Sequence, residues 1–142
     1  RVTLNPGAAA LTATMKAHGA RCVLVSGGFR YFTSRVAASA GFDTDRANTL
    51  IDDGKALTGA VGQPILGREA KLAALKEESA AIGATPADAI ALGDGANDLD
   101  MIRAAGLGIG EFDDARVFVG RHILFAPVDN LLFVHFAFAH VF

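Results

Sequence analysis

Ala91-Leu92-Gly93-Asp94-Gly95-Ala96-Asn97-Asp98 is the stretch whose reading decides the fold. The apolar residues 89–92 predict a strand that stops abruptly at Gly-Asp-Gly, and Asn97-Asp98 predicts the opening of a helix. Such a step places two carboxylates and an amide at the carboxyl end of a buried strand, where ligands bind in open α/β sheets. Gly93 and Gly95 are expected to let the backbone turn tightly and approach a ligand closely. Carboxylates crowded at such a mouth repel one another unless a cation lies between them, and hard oxygen donors favour Mg²⁺. The plainer reading makes Asp98 a helix N-cap and Asp94 a turn residue. The position of the whole run behind a strand favours the site.

Outward from this run, strands and helices alternate. Asn5-Pro6 opens an Ala/Leu/Met-rich helix that Gly19 closes. Residues 21–25 predict a strand ending at Ser26-Gly27-Gly28, followed by a helix over 31–40 broken by Gly41. Residues 47–51 and 57–61 predict short strands joined by the turn Asp52-Asp53-Gly54. Leu72, Leu75, Ser79 and Ile82 mark one face of a helix over 67–82, which Thr85-Pro86 ends. A helix over 97–105 then leads through Gly106 to a strand over 107–109. The alternation predicts an α/β fold, a Rossmann-like parallel sheet with helices on both faces. Neither an internal repeat nor a low-complexity linker is visible.

The chain of 142 residues has room for one domain and one core. An apolar fraction of 51% and a positive mean hydropathy exclude a disordered chain. A net charge of −2 leaves no basic footprint for nucleic acid, so a phosphate substrate must be captured by a few placed groups. Cys22 is alone, which excludes an internal disulfide and fits a reducing cytoplasm, and its apolar neighbours mark it as a buried residue. No amino-terminal signal pattern is visible, and the start at Arg1 rather than Met suggests that something precedes it.

The carboxyl-terminal part, residues 111–142, changes character. Seven of the ten Phe lie from Phe112 onward, and no charged side chain other than His follows Asp129. Residues 122–126 predict a strand and 129–138 a helix begun by Asp129. The apolar stretch 131–142 is shorter than the roughly 20 residues a membrane span needs, so no membrane is expected. It reads as a buried helix or a face that packs on another chain. His135 and His140, five apart, do not share a helical face and are not read as metal ligands.

Three separated elements converge if the sheet is parallel. Ser26-Gly27-Gly28 offers a hydroxyl and backbone N–H groups at a helix start, a site for an anion. Lys71, in the first turns of its helix, can neutralise phosphate charge, although a helix lysine is more often solvated, the role assigned to Lys76. Asp94, Asn97 and Asp98 supply the metal side. Together these groups suit phosphoryl transfer, where catalysis is mainly positioning and charge stabilisation.

The runs Leu24-Val25-Ser26-Gly27-Gly28-Phe29, Ile65-Leu66-Gly67-Arg68-Glu69-Ala70-Lys71 and Gly93-Asp94-Gly95-Ala96-Asn97-Asp98 resemble three of the four motifs of the haloacid dehalogenase superfamily. Their wording is nearest to its bacterial phosphoserine phosphatases, and the similarity runs from about Leu4 to Gly108. The resemblance implies a cytoplasmic, Mg²⁺-dependent phosphomonoester hydrolase working through an aspartyl-phosphate, with phosphoserine as substrate and L-serine biosynthesis as its setting. It implies that Ser26, Gly27 and Gly28 bind the phosphoryl group and that Lys71 stabilises its charge. Asp94 would hold Mg²⁺, Asn97 would contact substrate or phosphate, and Asp98 would orient Lys71 or the metal shell.

One motif of that family is missing. Its nucleophile and general acid are the aspartates of an Asp-x-Asp-x-Thr/Val sequence ending a first, central strand, and its substrate-selecting cap also lies upstream. Asp43-Thr44-Asp45 follows Gly41-Phe42 rather than an apolar strand, and is read as a turn. The chain therefore reads as one haloacid dehalogenase-like core over 1–142, incomplete at its amino terminus and expected to have negligible turnover alone. Loss of a central strand leaves backbone groups unpaired, each costing on the order of 1–3 kcal/mol if buried. Either the strands over 21–26 and 89–93 pair directly, or another segment fills the gap; the Phe-rich tail is the candidate. The tail's apolar face is also where self-association or a complementing amino-terminal segment is expected. The alternatives are a phosphatase for another small phosphomonoester, and a non-catalytic binding or assembly module. A dinucleotide site at Gly106-Leu107-Gly108-Ile109-Gly110 is discounted, because those glycines follow a helix and precede none.

Overall fold

The computed structural model describes residues 2–112, 115–120, 132–135 and 139–141, with side chains described for residues 3–110. In chain order the elements are β1 (Val2–Leu4), α1 (Ala8–Ala17), β2 (Arg21–Phe29), α2 (Arg30–Ala40), β3 (Thr44–Asn48), β4 (Leu50–Asp52), β5 (Leu57–Val61), α3 (Arg68–Ala81), β6 (Ala89–Gly93), α4 (Leu99–Ala104), β7 (Leu107–Phe112), β8 (Ala115–Gly120), β9 (Leu132–His135) and β10 (Ala139–Val141). Single 3-10 turns at Pro86–Asp88 and Ala96–Asp98 precede β6 and α4. The main sheet has the order β3-β2-β9-β6-β7-β8, parallel throughout except for the antiparallel edge strand β8. This is the expected α/β architecture.

Strand β2 shows why both faces are covered. Successive residues point to opposite sides of a strand. Val23 and Val25 join Leu75 of α3, Met101 and Ile102 of α4 and Ala91 of β6 on one face. Cys22 and Leu24 join Val36, Ala37 and Ala40 of α2 and Phe42 on the other. Burial pushes the Cys22 thiol up to about 11, so it is inert packing. Among the described residues no helix is long and apolar enough to cross a membrane.

Two expectations are corrected. Thr44 and Asp45 lie in strand β3, parallel to β2, rather than in a turn. An edge strand can carry charged side chains when tertiary partners hold them. Asp45 accepts from Thr33 Oγ1 at 2.6 Å, and Arg46 pairs with Glu78 at 2.7 Å. Residues 132–135, expected within a helix, form strand β9 instead. The strand over 122–126 and the rest of the helix over 129–138 lie outside the described residues.

Strand β9 is the central strand. Val134 is in register with Val23 of β2 and with Ala91 of β6, parallel to both. The tail thus supplies backbone partners to two strands that otherwise have none between them. Strand β10 pairs antiparallel with β1, bringing the two ends of the described chain together.

Candidate active site

Because β2, β9 and β6 are parallel, their carboxyl ends share one edge of the sheet, and the loops after β2 and β6 open there. With strands about 4.8 Å apart, those loops lie about 10 Å from each other. Ser26, Gly27 and Gly28 bulge out of β2. Between the register pairs Val25–Arg46 and Phe29–Asn48 the strand has three residues where β3 has one. Ser26 Oγ accepts a hydrogen bond from Gly28 N at 3.0 Å, which curls the bulge, and both glycines are exposed.

The run after β6 folds back on itself. The Asp98 side chain lies so close over Gly93 that a Cβ there would come 2.5 Å from Asp98 Cβ. Likewise a Cβ on Gly95 would meet Asn97 Oδ1 at 2.4 Å. The two glycines therefore make room for the chain's own Asp98 and Asn97, a more local reason than the ligand approach expected for them. Asp98 Oδ2 accepts from Gly95 N at 3.0 Å. Its Oδ1 accepts from Lys71 Nζ at 2.5 Å, with side-chain exposures of 1% for Asp98 and 5% for Lys71. Asp98 opens α4 but makes no side-chain cap bond to it, so its carboxylate serves Lys71 and the preceding turn.

Helix α3 presents Lys71 because its buried face runs through Lys71, Ala74, Leu75, Glu78 and Ser79. Two charged residues on a buried face need partners. Lys71 has Asp98, while Glu78 has Arg21 at 3.1 Å and Arg46 at 2.7 Å. Nearer the surface, Arg68 makes a bidentate bond to Asp100 at 2.7 Å, tying the start of α3 to α4. Lys76 is exposed.

Asp94 and Asn97 are both exposed at the mouth, and among the described residues no hydrogen bond or ion pair holds the Asp94 carboxylate. Asp43 and Asp45 are committed elsewhere. Asp43 takes Lys16 Nζ at 2.7 Å and Cys22 N at 2.8 Å, and Asp45 is bound by Thr33.

The sequence does not single out Asn48, which falls inside the short strand expected over 47–51. It is buried between the Ser26 bulge and the start of α3, donating to Gly27 O at 2.8 Å and accepting from Leu66 N at 2.6 Å. A polar residue closing a strand just before a glycine-rich hairpin was the only available signal. Gly106 and Gly108 are packing positions. A Cβ on Gly106 would lie 1.9 Å from Ala87 O, and one on Gly108 would lie 2.3 Å from Ile102 O.

Residues 1–103 match the family model for haloacid dehalogenase-like hydrolases. The chain is 49% identical over 113 residues to a phosphoserine phosphatase from Albidiferax ferrireducens, covering 77% of this chain and 48% of that protein. It is 44% identical over 121 residues to one from Polaromonas, covering 82% and 51%. Among solved structures, a probable phosphoserine phosphatase from Vibrio cholerae superposes with a TM-score of 0.70 at 33% identity, covering 78% of this chain and 33% of that one. A phospho-aspartyl intermediate analogue of a phosphoserine phosphatase superposes with a TM-score of 0.68 at 29% identity, covering 80% and 60%. The chain spans about half the length of the curated relatives it matches.

Proposed function

Because the chain belongs to the haloacid dehalogenase-like hydrolases, we propose that it carries the phosphate- and Mg²⁺-binding part of a phosphomonoesterase acting on phosphoserine. The observation that carries this reading is the buried Lys71–Asp98 pair, placed on the sheet edge where the Ser26 bulge and the Asp94 loop open. The named relatives supply the substrate.

In this reading the Ser26 hydroxyl, which accepts from Gly28 N and still has its own proton to donate, and the backbone N–H of Gly27 take the non-bridging oxygens of the transferring group, with Gly28 beside them. Lys71, aimed by Asp98, neutralises charge on those oxygens. Fixing an ammonium in advance is the kind of electrostatic preorganisation that favours a charged transition state. Asn97 reaches the same mouth and donates to substrate or phosphate.

The donors fit Mg²⁺ in part. Asp94 is a hard, exposed carboxylate with no other partner among the described residues, while no group of three ligating side chains forms among them. Mg²⁺ is commonly held by one or two carboxylates, with water and phosphate oxygens completing its shell. Asp94 would hold it, and the bound ion would supply neutralising charge to the phosphoryl group.

In this reading none of the aspartates near this edge serves as the attacking carboxylate. Asp43 and Asp45 are bound elsewhere, Asp98 is paired with Lys71, and Asp94 is given to the metal. Charge-stabilising groups without a nucleophile have no covalent step to assist. The isolated chain should bind inorganic phosphate in the presence of Mg²⁺ with negligible hydrolysis of phosphoserine. Phosphorus NMR titration and a product assay on the pure chain test both halves. Absence of Mg²⁺-dependent phosphate binding overturns the site. Clear turnover that disappears in Asp94→Ala overturns the inactivity and keeps the site.

A further inference from the structure

The bulge at Ser26-Gly27-Gly28 leaves the β2–β3 ladder for three residues, so its backbone groups lose the partners a regular strand would give them. Backbone groups that leave a ladder must take their partners from side chains or water, and a loop with no fixed bonds has no fixed shape. We infer that Asn48 is a positioning residue that holds the phosphate-binding bulge against the start of helix α3. This rests on the proposed phosphate site.

Asn48 is 6% exposed, and its side chain bridges the two loops. Its Nδ2 donates to Gly27 O at 2.8 Å, and its Oδ1 accepts from Leu66 N at 2.6 Å. The amide orientation is fixed by its partners, because a carbonyl can only accept and a backbone N–H can only donate. The two loops are in close reach of each other: a Cβ on Gly27 would lie 3.5 Å from Leu66 O. Leu66 is followed directly by Gly67, the N-cap of α3, and Lys71 N donates to Gly67 O at 3.2 Å. One side chain therefore sets the spacing between the proposed anion-binding groups after β2 and the first turn of the helix that carries Lys71. Only Asn has the donor and acceptor at this reach. Asp keeps the bond to Leu66 and sets an oxygen against the Gly27 carbonyl, and Ala loses both.

The test is amide exchange and phosphate affinity in the full chain. In the wild type the Leu66 amide exchanges slowly, although it lies in a loop. In Asn48→Ala the Leu66 and Gly28 amides exchange at least about tenfold faster, and the dissociation constant for inorganic phosphate with Mg²⁺ rises about tenfold, a change of the size of one ordinary hydrogen bond passed on to the site from the two that are lost. These are measured well below the melting temperature, so a lowered melting point alone does not produce them. In Asn48→Asp only Gly28 loses protection while Leu66 keeps it, which also serves if the alanine variant fails to fold. A folded variant with unchanged Gly28 exchange, or with lowered stability and unchanged phosphate affinity, overturns the inference. If the wild type binds no phosphate, the proposed site fails, and the exchange pattern still decides whether Asn48 anchors the bulge.

Discussion

Lys71 and Asp98, 27 residues apart in sequence, form a buried ion pair that joins helix α3 to the turn after β6. Burying two charges is expensive, and removing one partner leaves the other uncompensated, typically at a cost of about 3–5 kcal/mol. Asp98→Asn keeps the shape and an acceptor for Gly95 N, yet strips the charge facing Lys71. It should destabilise the chain by about that amount in urea denaturation, and Lys71→Met in the same background should return most of the loss. If the two substitutions simply add, the pair is not coupled and the picture of a preorganised ammonium is wrong.

Glycine positions in the site loops differ sharply in what they tolerate. Gly93→Ala drives a methyl into Asp98, and Gly106→Ala drives one into the Ala87 carbonyl. Gly67 has nothing within 4 Å of a new Cβ and an ordinary φ of −103°. Thermal melts should therefore find Gly106→Ala strongly destabilised, by more than about 3 kcal/mol on the scale of overpacked sites. Gly67→Ala should lie within about 1 kcal/mol of the parent. Gly93→Ala should also perturb the Lys71–Asp98 pair, seen as a changed Lys71 side-chain resonance. Equal melting temperatures for all three would contradict the packing described here.

What could be read from the sequence followed local periodicity. The strand over 89–93, the helix over 68–81 and the hairpin around Asp52-Asp53-Gly54 all carry their signal within a few residues. The features that were hidden depend on tertiary partners. Asp43-Thr44-Asp45 looks like a turn because the polarity of Asp45 and of Arg46 beside it makes sense only once Thr33, Glu77 and Glu78 hold them. Residues 132–135 look helical behind Asp129, and a short apolar run does not distinguish helix from strand by itself. The slot between β2 and β6 decides for strand. In the site, Ser26, Lys71, Asp94, Asn97 and Asp98 stand out by motif, whereas Asn48 gains its role only from a bulge in the neighbouring strand.

Acid should weaken the chain partly through Asp43. Burial raises the cost of its charge, but the Lys16 ammonium at 2.7 Å and the Cys22 N–H at 2.8 Å outweigh this and hold its pKa below the usual carboxylate value. A carboxyl lowered in the folded state adds stability above its unfolded pKa of about 3.9, and that contribution is lost as pH falls through the lower folded value. In Asp43→Asn the amide oxygen still accepts from Cys22 N, but no charge remains to pair with Lys16. The wild type should exceed this variant at pH 6 by under about 1 kcal/mol, since the pair is partly exposed. The difference should shrink as pH falls below about 4 in urea titrations at matched salt. A difference that stays constant with pH would show that Asp43 acts as an acceptor only.

The placement of the tail in the sheet is testable through the backbone alone. Val134 lies in the central strand, opposite Val23 on one side and Ala91 on the other. Proline at that position removes an N–H and cannot sit in a ladder bonded on both sides, a loss of about 3 kcal/mol or more. Domains of this size have only about 5–15 kcal/mol in total, so Val134→Pro should lower the melting temperature markedly or unfold the chain. Amide exchange at Val23 and Ala91 should speed up together, because both strands lose the same neighbour. Ala115→Pro, at the first residue of edge strand β8, is the control and should be mild, as proline is accepted at strand starts on an edge. If Val134→Pro leaves stability and exchange untouched, β2 and β6 must find another partner, and the shared edge that gathers Ser26, Lys71 and Asp94 loses its basis.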